Sequence, residues 1–437
     1  MRARTRHKPK VNVVTLGCAK NIFDSEVLMG RLKASGFDVA HERPDGGYEV
    51  VVVNTCGFIE SAKEESIQTI LQFAGARESG QIQKLIVTGC LSERYRDELR
   101  TEIPEVDAWF GTRDLPQLLK LLKADYQREL VGERLLTTPR HYAYLKISEG
   151  CDRPCSFCAI PLMRGKHTSR PLEELENEAR RLAEQGVKEL ILIAQDSTYY
   201  GLDLYGTRRL AELLQRLAGI EGLRWIRLHY AFPAGFPTDV LDVMAREKNI
   251  CRYLDIPLQH IHDDILKSMR RGLNSEKTRR LLDLIREKVP GVALRTTFIV
   301  GYPGESPAHF EALCRFVEEQ KFHRLGVFTY SHEEQTAAYA LRDDVPPAEK
   351  EHRAATLMRL QQEIAEAHNR ALVGRKLPVL VDRCDGHNSF GRTEFDSPEV
   401  DNEVILENTL VQPGTFVEAE VWDAGPFDVF ARPCEAM

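Results

Sequence analysis

Three cysteines lie within eight residues in the stretch EGCDRPCSFC, at residues 149–158, with the spacing CxxxCxxC. They are Cys151, Cys155 and Cys158. Structural zinc sites and electron-transfer iron–sulfur clusters usually take four protein ligands. A four-iron four-sulfur cluster held by three thiolates keeps one iron without a protein ligand, and that iron can bind a substrate. A zinc site with His167 as a distant fourth ligand is the alternative, although zinc prefers CxxC spacing.

Three other cysteines each end an apolar, strand-like run nearer the N-terminus. The run VNVVTLGC ends at Cys18, EVVVVNTC ends at Cys56 and KLIVTGC ends at Cys90. Near-continuous valine, isoleucine and leucine runs that alternate with helical patterns predict a parallel, doubly wound sheet. Ligands bind beyond the carboxyl ends of the strands in such sheets, so we expect the three thiols at one edge. The alternative is that they are small buried hydrophobic residues, as most single cysteines are.

Six strand candidates alternate with helical patterns after a linker-like stretch at residues 136–140. The candidates are AYLKIS, ELILIAQDS, WIRLHYA, YLDIPLQ, ALRTTFIVG and RLGVFTYS. Six repeats of strand and helix predict a partial (βα)6 barrel, because a closed barrel of this type normally has eight. The active site of such a barrel lies at the C-terminal face of its strands, and the CxxxCxxC motif follows the first strand candidate.

The C-terminal segment differs from the rest of the chain in its sequence pattern and in its charge. Short β-type runs broken by Gly, Asn and Asp predict a small antiparallel β-barrel there. Residues 376–437 contain four basic and 13 acidic side chains, a net charge of −9, whereas the whole chain carries −7. The chain is therefore predicted to be an α/β protein with three domains, at residues 9–125, 137–373 and 376–437.

The composition is that of a globular protein with an aqueous surface. Charged residues make up 29% of the 437 residues and hydrophobic residues 43%, and no apolar run approaches the roughly 20 residues that span a bilayer. The basic N-terminus MRARTRHKPK lacks the apolar segment of a secretory signal, so we expect a frayed tail and a cytoplasmic protein. Ten cysteines without an export signal indicate metal ligands rather than disulfides.

The motif at Cys151, Cys155 and Cys158 resembles the signature of the radical S-adenosylmethionine (SAM) superfamily. With VTLGCAKNIFDSE and VVNTCGF, the stretch EGCDRPCSFCAIPLMRG is similar to the methylthiotransferase family of that superfamily over nearly the whole chain. This family has an N-terminal domain with three more cysteines, a radical SAM barrel and a C-terminal TRAM barrel. In the superfamily, SAM chelates the open iron, and one electron from the cluster cleaves SAM to give a 5'-deoxyadenosyl radical.

The resemblance implies two four-iron four-sulfur clusters, with SAM as the second cofactor. Cys18, Cys56 and Cys90 would ligate the auxiliary cluster. The reaction implied is replacement of an unactivated C–H bond by C–S–CH3, with SAM as both radical source and methyl donor. The partners would include a reductant protein and a sulfur donor. No side chain is identified as catalytic.

The stretches VTLGCAKN, YSHEEQTAAY and GRTEFDSPEVDN resemble the branch of the family that modifies the β-carbon of an aspartate on small-subunit ribosomal protein twelve. The substrate would be this basic protein, free or in the assembled subunit. A TRAM barrel at −9 repels phosphates, so we do not expect it to bind RNA. Two alternatives are a transfer-RNA 2-methylthioadenosine enzyme and a non-enzymatic iron–sulfur sensor or ribosome-binding factor.

Three further residues are candidates for contact with SAM. Gly301 and Gly304, in VGYPGE, resemble the family's loop after the fifth strand, where backbone close to a cofactor would need glycine; the same glycines suit a generic turn. Gln195 lies at the end of the second strand candidate, although the Gly-Glu pair common there in radical enzymes is missing.

Overall fold

A computed structural model describes residues 8–43, 46–124 and 134–434. Most of the predicted N-terminal tail, residues 1–7, lies outside the described residues. The chain forms two compact units. The first comprises Met1–Thr138, Glu149–Asp152 and Cys158–His167, and the second comprises Pro139–Ser148, Arg153–Phe157 and Thr168–Met437. Among the described helices, none has the length and apolar character needed to cross a membrane.

The first unit contains a five-stranded parallel sheet in the order β2-β1-β3-β4-β5. Its strands are β1 (Lys10–Thr15), β2 (Asp38–His41), β3 (Val50–Thr55), β4 (Lys84–Gly89) and β5 (Ala108–Trp109). Its helices are α1 (Ala19–Ala34), α2 (Glu60–Glu78), α3 (Cys90–Glu102), α4 (Leu115–Leu121) and α5 (Ile160–Arg164).

Helices cover both faces of this sheet, as the apolar runs predicted. Successive residues of a strand point to opposite faces. Val50 and Val52 of β3 accordingly belong to one core cluster, with Leu28 of α1. Val51 of β3 belongs to the other cluster, with Ile70 of α2. The prediction of a doubly wound parallel sheet is confirmed.

The second unit contains an open sheet of six parallel strands, here called the partial barrel, in the order β13-β12-β11-β10-β9-β6. All six strand candidates are confirmed. They are β6 (Tyr142–Lys146), β9 (Glu189–Ile193), β10 (Trp225–Leu228), β11 (Ile250–Asp255), β12 (Ala293–Val300) and β13 (Arg324–Thr329). Two short strands, β7 (Ser148–Glu149) and β8 (Thr168–Ser169), lie on either side of the cysteine motif in the sequence.

Helices follow the strands of the partial barrel, and some of them begin at a residue whose side chain caps the helix. For example, Ser306 caps the helix Pro307–Gln320 by accepting a hydrogen bond from the His309 N–H at 3.3 Å. The helices are α6 (Leu172–Glu184), α7 (Leu202–Tyr205), α8 (Leu210–Ala218), α9 (Asp239–Arg246), α10 (Asp263–Ser268), α11 (Ser275–Lys288), α12 (Pro307–Gln320) and α13 (Pro347–Arg370). Short 3-10 turns occur at Ser197–Tyr199 and Ala337–Ala340.

A closed five-stranded barrel, here called the C-terminal barrel, completes the second unit, with the order β14-β15-β16-β18-β17. Its strands are β14 (Lys376–Cys384), β15 (Ser389–Arg392), β16 (Glu403–Leu406), β17 (Phe416–Ala424) and β18 (Asp428–Pro433). Four pairings are antiparallel, as predicted, and the β16–β18 pairing is parallel. Alternate residues such as Val379, Val381 and Val421 fill the interior.

Candidate metal centres

The three N-terminal cysteines lie at the ends of neighbouring strands of the first sheet. Cys18 immediately precedes α1, Cys56 follows β3, and Cys90 is the first residue of α3, after β4. The pKa of the Cys90 thiol is raised to about 12, chiefly by burial and in smaller part by the nearby Cys18 and Cys56 thiols. The strands β1, β3 and β4 are neighbours in the parallel sheet, so the residues that follow them lie at one edge of it. The structure therefore brings the three predicted ligands together.

An asparagine just after Cys18 joins the loops that carry these thiols. The Asn21 side-chain amide donates hydrogen bonds to the backbone oxygens of Leu16 (2.6 Å) and Thr55 (3.0 Å). Its Oδ1 lies 4.0 Å from the Cys90 sulfur. Asn21 thus contacts the loops after β1 and β3 and the thiol after β4, and it fixes their spacing.

Glycine is required where two of these loops meet. Gly17 has φ +92°, and a Cβ on this residue would lie 2.9 Å from the Cys56 sulfur. Gly89, with φ +101°, would place a Cβ 2.5 Å from the Thr55 carbonyl oxygen. Side chains at either position would push apart the loops that carry the thiols. Three convergent thiols on tightly packed loops suit an iron–sulfur cluster, which thiolates hold.

Arg164 of α5 is a buried cation that lies close to the Cys90 thiol and perturbs its pKa. Its guanidinium pairs with Asp24 at 2.6 Å and Glu149 at 3.3 Å, and also donates to Asn21. Arg164 lowers the pKa of Cys90 and so opposes the effect of burial. No pattern in the sequence indicates the role of this residue, although it lies in the same stretch as the CxxxCxxC motif.

The CxxxCxxC segment is divided between the two units. Cys151 and Cys158 belong to the first unit and Cys155 to the second. The Cys151 N–H donates to the Gly165 carbonyl at 3.0 Å. Gly150 has φ +79°, and a Cβ there would lie 2.1 Å from a backbone oxygen, that of Lys166. Only glycine fits at this position, immediately before the first cysteine of the motif.

In the second unit, two arginines surround the part of the motif that contains Cys155. Arg271 donates a hydrogen bond to the Cys155 sulfur at 3.2 Å and stacks on the ring of Phe232, with 4.2 Å to the ring centroid. Arg153 stacks on the same ring at 4.1 Å and donates to the Asp196 carboxylate at 2.6 Å. A guanidinium donor to a cysteine sulfur suits a thiolate ligand, because it stabilises negative charge on sulfur.

Backbone strain marks the segments that follow strands of the partial barrel. Tyr230 after β10, Gln259 after β11 and Arg270 beyond α10 have φ of +59°, +76° and +55° without being glycine. The Gln259 side-chain oxygen is buried and has no hydrogen-bond partner among the described residues. Strain and an unpaired polar atom tend to occur at functional sites. The alternation of residues in YLDIPLQ indicates that Gln259 points to the mouth or interior of the barrel, whereas its backbone strain leaves no trace in the sequence.

The three residues predicted to contact SAM lie after strands of the partial barrel, and their role stays a prediction. Gln195 follows β9. Gly301 and Gly304 follow β12 with φ of +75° and +82°. A Cβ on Gly301 would lie 2.3 Å from the side chain of Lys350, so packing against α13 already explains this glycine. No such contact occurs at Gly304, whose N–H donates to Asp344 at 2.8 Å.

Three family models match the chain: Uncharacterized protein family UPF0004 over residues 10–111, Radical SAM superfamily over residues 145–317, and TRAM domain over residues 373–434. With the fold described above, they define a radical SAM protein with a TRAM barrel. Full-length relatives place it more narrowly. The chain belongs to the family of ribosomal protein uS12 methylthiotransferases RimO.

The RimO protein of Flavobacterium psychrophilum is 59% identical over 99% of this chain and 100% of its own length. That of Christiangramia forsetii is 58% identical over 99% of this chain and 96% of its own. Among solved structures, the radical SAM methyltransferase TsrM of Kitasatospora setae has a TM-score of 0.55 at 17% identity, covering 73% of this chain and 72% of its own. The similarity to TsrM concerns the fold alone.

Proposed function

We propose that the chain is a radical SAM methylthiotransferase that replaces a hydrogen on the β-carbon of an aspartate of ribosomal protein uS12 by a methylthio group. The observation that carries this proposal is identity of 58–59% over 99% of the chain to RimO proteins. Ribosomal proteins are made and assembled in the cytoplasm, so the reaction is assigned to that compartment.

An iron–sulfur cluster and SAM are the cofactors of this reaction. Cys151, Cys155 and Cys158 would hold the cluster that binds SAM, and when bound it supplies the electron that cleaves SAM. The chain's own residues shape this loop. Gly150 permits the tight backbone approach at its start, and Arg271 stabilises negative charge on the Cys155 sulfur.

Cys18, Cys56 and Cys90 would hold a second, auxiliary cluster that receives sulfur from a donor. Their arrangement supports this assignment, because burial raises the pKa of the Cys56 and Cys90 thiols and so disfavours these thiolates unless a metal compensates their charge. Asn21 and Arg164 orient and partly neutralise the group. A reductant protein would deliver electrons to the enzyme.

The proposal divides the work among three domains. Residues 9–125 would hold the auxiliary cluster, residues 137–373 would cleave SAM, and residues 376–437 would meet the protein substrate, free or in the assembled subunit. The exposed acids Glu418, Glu420 and Asp423 of β17 support contact with a basic protein rather than with RNA.

The test of the reaction is mass spectrometry of uS12 and of transfer RNA from a strain that lacks the gene. We expect uS12 to lack the methylthio group, transfer RNA to be unchanged, and the wild-type gene to restore the modification. Cys155→Ala should not restore it, whereas Cys251→Ala should, because Cys251 is buried in a hydrophobic cluster with Trp225 and Tyr253 that contains none of the six proposed ligands. Loss of a methylthio group from transfer RNA with uS12 unaffected would contradict the assignment.

The number of clusters is tested separately by iron analysis after reconstitution. Replacing Cys151, Cys155 and Cys158 together by Ala should leave about half of the iron and abolish SAM cleavage. Replacing Cys18, Cys56 and Cys90 should also leave about half, but with 5'-deoxyadenosine still formed under reducing conditions. Loss of all iron in either variant would contradict two independent sites.

A further inference from the structure

The connection between β15 and β16, residues 393–402 and here called the base connection, leaves the C-terminal barrel and contacts the strands of the partial barrel. Its backbone oxygen at Glu394 accepts from Arg227 of β10 at 2.7 Å. Arg392, just before it, pairs with Glu189 of β9 at 2.8 Å. Its other contacts are with Tyr142 of β6, Tyr253 of β11, Arg295 of β12 and Arg324 of β13. Together with Arg392, this short segment thus reaches all six strands, including the two edge strands β6 and β13, which do not pair with each other.

Buried charges fix the base connection in place. Asp396 accepts from the Arg324 guanidinium, with 3.0 Å to its Nε, and both side chains are at least nine-tenths buried. Asp401, whose side chain is 1% exposed, lies 3.4 Å from the Arg295 guanidinium and accepts from the Tyr253 hydroxyl at 2.8 Å. Buried ion pairs with extra hydrogen bonds admit few alternative geometries, so the segment is held in one position.

A chain of hydrogen bonds leads from the base connection to the far end of the partial barrel. The Ser397 hydroxyl lies 2.9 Å from His229 Nε2, just after β10. The His229 carbonyl accepts from the Ser197 hydroxyl at 2.6 Å. The adjacent Asp196 carboxylate accepts from Arg153 at 2.6 Å, and Arg153 lies two residues before Cys155. Each of these side chains except that of Arg153 is at least nine-tenths buried, and so protected from competition with water.

We propose that Ser397 of the C-terminal barrel is a positioning residue for the SAM reaction. Acting through His229, it holds the turn Ser197–Tyr199 and, through Asp196, the Arg153 side chain beside Cys155. Ser397 itself contacts none of the residues assigned to cofactor binding. This inference rests on the proposed function only for the location of the SAM site. It gives the C-terminal barrel a role in radical formation that is distinct from capture of the substrate.

The test compares Ser397→Ala with Ser397→Thr and Ser389→Ala in the reconstituted full-length protein. Ser389 is a matched control, because it is a fully buried serine of the same barrel whose hydroxyl donates to the Thr409 carbonyl at 2.7 Å. We expect Ser397→Ala to raise the KM for SAM about fivefold, the loss typical of one hydrogen bond. It should also speed amide hydrogen exchange at residues 195–200. Ser397→Thr, which keeps the hydroxyl, should have the wild-type KM for SAM and the wild-type exchange rate. Ser389→Ala should change neither quantity.

Two outcomes would overturn the inference. In the first, Ser397→Ala has the wild-type KM for SAM and wild-type exchange at residues 195–200. In the second, Ser389→Ala produces the same changes, which would make the effect one of general barrel stability. Hydrogen exchange and SAM cleavage are both measured without uS12, so failure here is distinguishable from failure of the proposed substrate.

Discussion

Replacing Arg164 by Met tests whether this buried cation holds the auxiliary cysteine site together. The Arg164 side chain is 2% exposed, and the side chains of its partners Asp24 and Glu149 are 27% and 20% exposed. Removing one member of a buried pair costs about 3–5 kcal/mol, and the partial exposure of both carboxylates places this case near 3 kcal/mol. For a unit of this size that corresponds to a fall of about 6–12 °C in its melting temperature.

The assay is thermal unfolding of the cluster-free protein, followed by iron uptake in the variant that lacks Cys151, Cys155 and Cys158. Arg164→Met should lower both, because the guanidinium also opposes the raised pKa of Cys90. Arg164→Lys keeps the charge but loses the forked geometry, so it should fall between Met and wild type. Arg77→Met, which removes a surface partner of Asp107, is the control and should change neither. If Arg164→Met unfolded at the wild-type temperature and took up iron normally, the reasoning would be refuted.

Three further predictions concern other parts of the chain. Gly150→Ala should lower the iron retained by the CxxxCxxC site, because a Cβ at residue 150 would meet a backbone oxygen at 2.1 Å. Folding of the C-terminal barrel should be unchanged, and full retention of iron would contradict this prediction. Changing Glu418, Glu420 and Asp423 to Lys should slow association with uS12 and increase RNA binding in a salt-dependent manner, and an unchanged association rate would argue against the acidic face. Burial lowers the pKa of His260 from 6.5 to about 3. The unfolded chain therefore binds this proton first, and stability should fall by up to about 1.4 kcal/mol per pH unit as the pH drops below 6.5. In urea unfolding, His260→Gln should weaken the pH dependence of the free energy of unfolding. An equally steep pH dependence in the variant would contradict the role given to His260.

The sequence was sufficient to predict the parallel sheets and to place both sets of cysteines after strands. Parallel strands place their carboxyl ends at one edge, so Cys18, Cys56 and Cys90 could be grouped before any coordinates were known. Arg164 and Arg271 could not be assigned in this way. Their roles depend on which thiol a long side chain reaches after the chain has folded, and neither hydrophobic periodicity nor spacing encodes this.

The net charge of residues 376–437 does not describe the surface of the C-terminal barrel, because part of that charge is buried. The net charge of −9 in residues 376–437 suggested a free acidic surface. In the structure, Asp382 pairs with Arg392, and Asp396 and Asp401 are buried against arginines of the partial barrel. The partners Arg324 and Asp396 are 72 residues apart in the sequence, so counting within one segment could not reveal the pair. The exposed acids Glu418, Glu420 and Asp423 on β17 are among those that stay available to a partner.

These buried pairs also bear on what counts as a domain in this chain. The composition and hydrophobic pattern of the sequence change near residue 375, but the partial barrel and the C-terminal barrel belong to one compact unit. Arg324 is nearly fully buried, and its ion-pair partner, Asp396, comes from the other side of that boundary. A buried guanidinium without its carboxylate is strongly destabilising. The partial barrel therefore depends on the C-terminal barrel for neutralisation of buried charge in its own interior, so the two barrels are coupled in stability across this boundary.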